Sequence, residues 1–196
     1  MTIDTQWLDT HEWMLRSSND GKSHDGYTWP LLGQWATASD WNDRAECGGG
    51  FHGNAPEAHG AGFFYSRLEL VETRGPRIVI DGDKIKVRSA RIVAVNEDIP
   101  LEAFARCGYT LHVPHDGETI SPRKDEIWLV KGITVSVVGQ TGGYCRACSG
   151  GTVNSTGQTG GYCRADSGGT VNSTSQTGGD CWADSGGTVN KKGGAA

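Results

Sequence analysis

The side chains of this 196-residue chain with the most reactive chemistry are six cysteines and six histidines. Thiolate and imidazole are the usual tetrahedral zinc ligands, and Cys47, His52, His59 and Cys107 are the candidates for such a set. Four residues separate Cys47 from His52 and six separate His52 from His59, which is not a standard ligand spacing. Cys47 and His52 also have the residue types of a nucleophile and its base, a pairing that needs a third group to orient the imidazole. His24 and Asp25 are further candidate groups, and His112 and His115 with Asp116 form a second, weaker cluster. On a strand, residues three apart face opposite ways, which separates His112 from His115 and, in the Cys145-Arg-Ala-Cys148 motif, one thiol from the other. The plainer reading is that these groups pack and solvate. No metal, cofactor or catalytic residue is expected.

Binding is better supported. Trp7, Trp13, Trp29, Trp35 and Trp41 all precede a glycine-rich bend, Cys47 to Gly53. Aromatic walls with a few polar groups build ligand clefts, so Trp29, Trp35, Trp41 and His52 are the ligand-binding candidates. The competing reading is that the tryptophans fill a core short of aliphatic residues. Leu, Ile, Val and Phe are only 35 of 196 residues, thin for a globular protein.

Glycine marks two materials. Residues 1–138 contain 14 glycines and residues 139–196 contain 16. The first domain is therefore expected over 1–131, a repeat domain over 132–192 and a tail over 193–196. Net charge is −5, with about +1 in the glycine-rich part, and neither part has the basic stripe that tracks phosphates. Nucleic acid is not an expected partner. No apolar run is long enough to span a membrane, and Met1 to Gln6 does not read as a signal peptide, so a soluble, cytoplasmic protein is expected.

Three near-copies begin at Gln140, Gln158 and Gln176: QTGGYCRACSGGTVNSTG, QTGGYCRADSGGTVNSTS and QTGGDCWADSGGTVNKKG. Short alternating segments read as strands, and the glycine pairs between them as corners with positive φ. A fixed 18-residue period of this kind predicts a three-coil β-solenoid. Cys145, Ala147 and Val153 and their equivalents face inward; Tyr144, Arg146, Cys148, Thr152 and Asn154 face outward. Cys145, Cys163 and Cys181 then stack in one column, as small core residues or, less plainly, as a disulfide or soft-metal site. Gly132 to Gly139 leads into the first coil. Rows of Thr and Asn on the outer face favour a homo-oligomer through the solenoid.

In the first domain, residues 4–16 read as a short helix or strand, and 63–71, 77–80, 84–87, 90–95 and 127–130 as strands. Asp81-Gly82-Asp83 is a hairpin turn, and Pro100 opens a short helix over 99–105. The fold class is mostly β: an α+β domain of antiparallel strands followed by the short solenoid.

Met14-Leu15-Arg16-Ser17, Trp29-Pro30, Asp40-Trp41 and Cys47-Gly48-Gly49-Gly50-Phe51-His52-Gly53, continued by the strand pair Gly82 to Val95, resemble a small domain of unknown function found in actinobacteria and their bacteriophages. The likeness covers roughly residues 13–105. The SGGTVNSTGQTGG pattern resembles the GG-containing solenoid repeats of autotransporter adhesins, which implies stacking and a surface for interaction. Strand-rich domains with aromatic pockets are also similar to mono-ADP-ribosyltransferases, but Glu69 and Glu72 are at the wrong spacing for the Glu-x-Glu pair those enzymes need. The expectation is a non-catalytic, bacteriophage-type protein in the host cytoplasm that captures a host protein or small ligand, as an inhibitor of host defence would. A virion component with a solenoid spike is the alternative. A small ADP-ribosyltransferase-like or metal-dependent enzyme is the third reading.

Overall fold

The computed structural model describes residues 3–19, 21–22, 26–60, 63, 67–183 and 186–192. His24, Asp25 and the 193–196 tail lie outside the described residues. The chain divides into two compact units, residues 1–108 and 109–196. No helix among the described residues is long and apolar enough to cross a membrane.

The first unit opens with helix α1 (Thr5–Thr10), whose N-terminus is capped by the Asp4 carboxylate accepting from the Trp7 amide at 2.9 Å. Strands β1 (Trp13–Ser18), β2 (Ala36–Thr37), β3 (Phe51–Gly53), β4 (Arg67–Ile80) and β5 (Lys84–Val95) follow, then helix α2 (Leu101–Arg106) behind Pro100. One antiparallel sheet has the order β1-β4-β5-β2, with β3 beside β2 on the same edge of β5. The β4–β5 hairpin turns where expected, with Asp81 and Gly82 both at positive φ. Two register shifts in this hairpin, at Leu70/Val71 and Arg74/Arg77, change which residues face inward. Ile85 and Val87 face the core before the second shift, Ala90 and Ile92 after it. Met14, Trp29, Phe51, Val71 and several alanines complete that core.

The second unit is a parallel β-solenoid. Its strands are β6 (Thr110–His112), β7 (Thr119–Ile120), β8 (Glu126–Val130), β9 (Thr134–Val138), β10 (Tyr144–Ala147), β11 (Thr152–Thr156), β12 (Thr159–Ala165), β13 (Thr170–Thr174), β14 (Gly178–Ala183) and β15 (Thr188–Lys192). They form two sheets, β14-β12-β10-β8-β6 and β15-β13-β11-β9-β7. About four coils result, and the ladder reaches back beyond the three visible repeats. Val130 pairs with Ala147, and Val135 with Val153, so β8 and β9 are a full coil below the first copy. The glycine content changes later than the ladder begins because the early coils are built differently. Their pairings step 16 residues (Thr110 to Glu126) and then 17 (Ile127 to Tyr144) before settling at 18. They fill the interior with Ile120, Trp128, Val130 and Val137 in place of Cys, Ala and Ser.

Inward and outward residues in the repeats fall as the alternation predicts. Cys145, Ala147, Val153, Cys163, Ala165 and Val171 are fully buried. The corners need glycine for two separate reasons. Gly161 has φ +69, and a Cβ on Gly169 would overlap the Ala147 carbonyl of the coil below.

Candidate functional site

The four tryptophan and histidine candidates occupy different environments. Trp29 is a core residue, 6% exposed. Its ring lies 4.5 Å from Phe51, and the Arg16 guanidinium covers it at 4.3 Å. The surface it would offer a ligand is already taken. Trp41 packs on the same core cluster. Trp35 stands apart, partly buried between the guanidinia of Arg74 at 4.1 Å and Arg91 at 5.0 Å. His52 sits on β3 opposite Lys86. Next to Trp29 and Trp35, Leu31 is 76% and Leu32 57% exposed, an apolar pair that no periodicity marked.

The thiol and imidazole candidates do not converge. Cys47 is exposed on the glycine-rich bend, whereas Cys107 is fully buried at the end of α2. Burial pushes the Cys107 thiol up to about 12, with the Glu57 charge adding to the effect and Arg77 opposing it. His59 lies on the surface, its Nδ1 3.2 Å from the Pro56 carbonyl. Among the described residues no three His, Cys, Asp or Glu side chains form a metal-holding group. The acids are engaged separately. Glu69 is fully buried between Arg16 Nε at 3.2 Å and Arg67 Nε at 3.1 Å, and the Ser18 hydroxyl donates to it. Glu72 instead bridges Arg91 at 2.7 Å. Desolvation raises the Glu69 carboxyl above its ordinary range, and the two arginines and Ser18 only partly offset that.

Lys86 organises the bend that carries Cys47. It is fully buried, and its ammonium donates to Asn42 Oδ1 at 3.0 Å and to the carbonyls of Arg44, Glu46 (3.2 Å) and Gly48 (3.3 Å). A buried ammonium is tolerated only when its hydrogens are satisfied. Here a loop with little apolar content wraps one internal cation. The alternating pattern KIKVR gives no hint of this, since it places Lys86 on what reads as a polar face.

In the solenoid, the thiol column is tied to a glutamine column. Cys163 Sγ donates to Gln140 Oε1 at 3.0 Å, and Cys181 Sγ to Gln158 Oε1 at 3.1 Å. Each glutamine turns its amide nitrogen into its own corner, Gln140 to the Gly142 carbonyl and Gln158 to the Gly161 carbonyl, both at 3.0 Å. Both glutamines are fully buried. Neighbouring thiols and burial raise Cys163 and Cys181 far above the ordinary thiol range. All six cysteines are free thiols. Cys148 points to the other side, 3.5 Å from Asp166 Oδ2.

The two outer faces differ. On the β10–β12–β14 side Tyr144 stacks on Tyr162, and Arg146 reaches Asp166 at 2.9 Å. Arg146 and Arg164 are only 5% and 4% exposed, so this outward row is closed rather than free. The other sheet keeps an open face. Asn154, Asn172 and Asn190 form an amide ladder with two bonds of 2.8 Å, and the Thr156 and Thr174 hydroxyls meet at 3.1 Å. Val138, half exposed, continues the Thr156–Thr174 column. The result is a grid of Thr and Asn rows, with Lys192 ending the Thr156–Thr174 column on the last described strand and one strand about every 4.8 Å.

At the last described coil, β14 and β15 each have a strand neighbour on one side only. A cavity of about 310 Å³ opens there, lined by Ser173, Gln176, Gly178, Gly179, Lys191 and their neighbours. Comparison of the chain with protein-family models, curated proteins and solved structures finds no match.

Proposed function

We propose that the chain is a non-catalytic interaction protein whose solenoid associates through its Thr/Asn face with a second copy. One observation carries this reading. Thr152, Asn154 and Thr156 repeat in register as Thr170, Asn172 and Thr174 on a parallel sheet, with Asn154 bonded to Asn172 and Thr156 to Thr174 along the ladder. Such a face is self-complementary under a two-fold axis, the commonest symmetry of homodimers. It loses little entropy on docking, because the rows are already ordered.

The size of the face sets the strength. Five strands about 4.8 Å apart and about five residues long present roughly 300 Å² per copy. A standard interface buries about 800 Å² per partner. The association is therefore weak and reversible, with dissociation at about 100 μM or above. The resemblance of residues 13–105 to a domain of actinobacteria and their bacteriophages supports a setting inside a bacterial host. There the first unit, with its Leu31–Leu32 projection and arginine-flanked Trp35, supplies the surface for a host protein or ligand.

Static light scattering of the full chain from about 10 μM to about 1 mM tests the reading. The mass should rise with concentration for the native chain and stay monomeric for Asn172→Lys, which places like charges face to face. A native chain that is monomeric throughout, or an Asn172→Lys chain that associates equally well, contradicts it.

A further inference from the structure

We infer that the edge of β14 and β15, which has a strand neighbour on one side only among the described residues, takes an extended acidic peptide from a partner protein, added on the β15 side as one more strand. This concerns the edge of the two sheets, and goes beyond the face-to-face association proposed above.

The internal rungs show what an occupant must supply. Within the stack, Gln140 and Gln158 each accept a thiol from the next coil, at 3.0 and 3.1 Å. Gln176 holds the same corner in the last described coil and turns its amide nitrogen to the Gly179 carbonyl in the same way. Among the described residues its Oε1 has only the Ser173 hydroxyl of its own corner, at 3.5 Å, the outer limit of a hydrogen bond. An acceptor, a cavity of about 310 Å³ and a strand edge with no partner among the described residues thus coincide. Free edges pair readily with extended chains.

Charge decides the kind of chain. The inward column runs Val137, Ser155, Ser173 and then Lys191. Lys192 follows in the column of Thr156 and Thr174. A further coil with the chain's own TVNST pattern would set Ser or Val against Lys191 and bury its ammonium unpaired, which is costly. That argues against a second copy at this edge. A strand with Glu or Asp opposite Lys191 pairs the ammonium, and its backbone meets the β15 edge. Asp180 is the charged group on β14 among the described residues, and it lies in the outward Tyr144–Tyr162 column. The acidic residue is therefore expected on the β15 side.

The test uses the full chain and a fluorescent nonapeptide of alternating Thr, Val and Glu, with hydrogen exchange as the second measurement. The peptide should bind and should protect backbone amides within Thr188–Lys192, the strand it lies beside. Lys191→Glu should weaken binding by about tenfold or more, and the same peptide with Lys for Glu should not bind. A Glu peptide N-methylated at alternate residues keeps its charge but cannot pair, and should also fail. Four results overturn the inference: no binding at about 1 mM peptide; binding without amide protection, which is a surface ion pair; equal protection by inorganic phosphate, which is an anion site; or protection that rises with protein concentration alone, which is a second copy.

Discussion

The Cys163 thiol donates to the amide oxygen of Gln140, 23 residues earlier, over 3.0 Å. The bond joins the corner of one coil to the wall of the next, and Gln158 and Cys181 repeat it. Three consecutive corners thus carry a buried or partly buried amide where a narrow apolar core would otherwise be expected. The glutamine returns at the start of every repeat because only a side chain of that length, with both donor and acceptor, closes the corner and reaches the next thiol.

Replacing Gln158 with Ala leaves the Gly161 carbonyl and the Cys181 thiol unpaired in a buried cavity. We expect a loss of about 2–4 kcal/mol in urea unfolding. Gln176→Ala, at the partly exposed end, should cost less than about 1 kcal/mol. Equal losses would show that the ladder is not what holds the coils together.

Ser175 occupies the corner held by Gly139 and Gly157 in the preceding coils, and all three have positive φ, at 55°, 60° and 69° respectively. A left-handed conformation costs an L-residue about 1–2 kcal/mol. Ser175→Gly should therefore stabilise the protein by roughly 1 kcal/mol, read as a higher melting temperature, and Ser175→Val should lower it. A neutral or destabilising glycine would mean that the corner conformation is wrong.

Lys86→Met removes the ammonium around which Asn42, Arg44, Glu46 and Gly48 are arranged. The 41–50 bend should loosen while the β4–β5 hairpin persists. Trypsin cleavage after Arg44 and the labelling rate of Cys47 should both rise by about tenfold or more. Unchanged rates at both sites would show that the bend is held by something else.

The thiols give a pH dependence. The Cys107 pKa, about 12 in the folded protein, exceeds the roughly 8.5 of an unfolded chain. A raised pKa means that the contribution is complete below about 8.5 and is lost as pH rises towards 12. Cys163 and Cys181 shift in the same direction and add to the loss. The urea midpoint should fall across that alkaline window, and Cys107→Ala should make the fall shallower. At neutral pH a thiol reagent should label exposed Cys47 well before Cys107, Cys145, Cys163 and Cys181. A flat alkaline profile, or early labelling of the buried column, would contradict the burial of these groups.

The solenoid was legible in the sequence where repeats keep an 18-residue period, because glycine corners and alternation leave a periodic trace. It was not legible over β6 and β7, and β8 and β9 were read only as a strand of the first domain and a lead-in from Gly132 to Gly139, because coils of 16 and 17 residues use Ile, Val and Trp and no copy repeats another. In the first unit the Asp81–Asp83 hairpin and the helix behind Pro100 could be read from local turn and cap chemistry. The environment of Trp29 could not, since core and cleft tryptophans share one composition. Arg16, Glu69 and Lys86 left no signal either. Their burial depends on partners 40 to 53 positions away, such as Glu46 for Lys86 and Glu69 for Arg16, and on register shifts in the hairpin that period-two patterning does not encode.

Site-specific disulfide trapping tests the central claim, that two copies meet through the Thr/Asn face. In a Cys47→Ser background, Asn172→Cys places a thiol in the middle of that face, and Tyr162→Cys places one on the opposite sheet. After mild oxidation of the full chain at about 200 μM, a non-reducing gel should show a covalent dimer for Asn172→Cys and monomer for Tyr162→Cys. Equal cross-linking of both, or dimer from Tyr162→Cys alone, would contradict the claim.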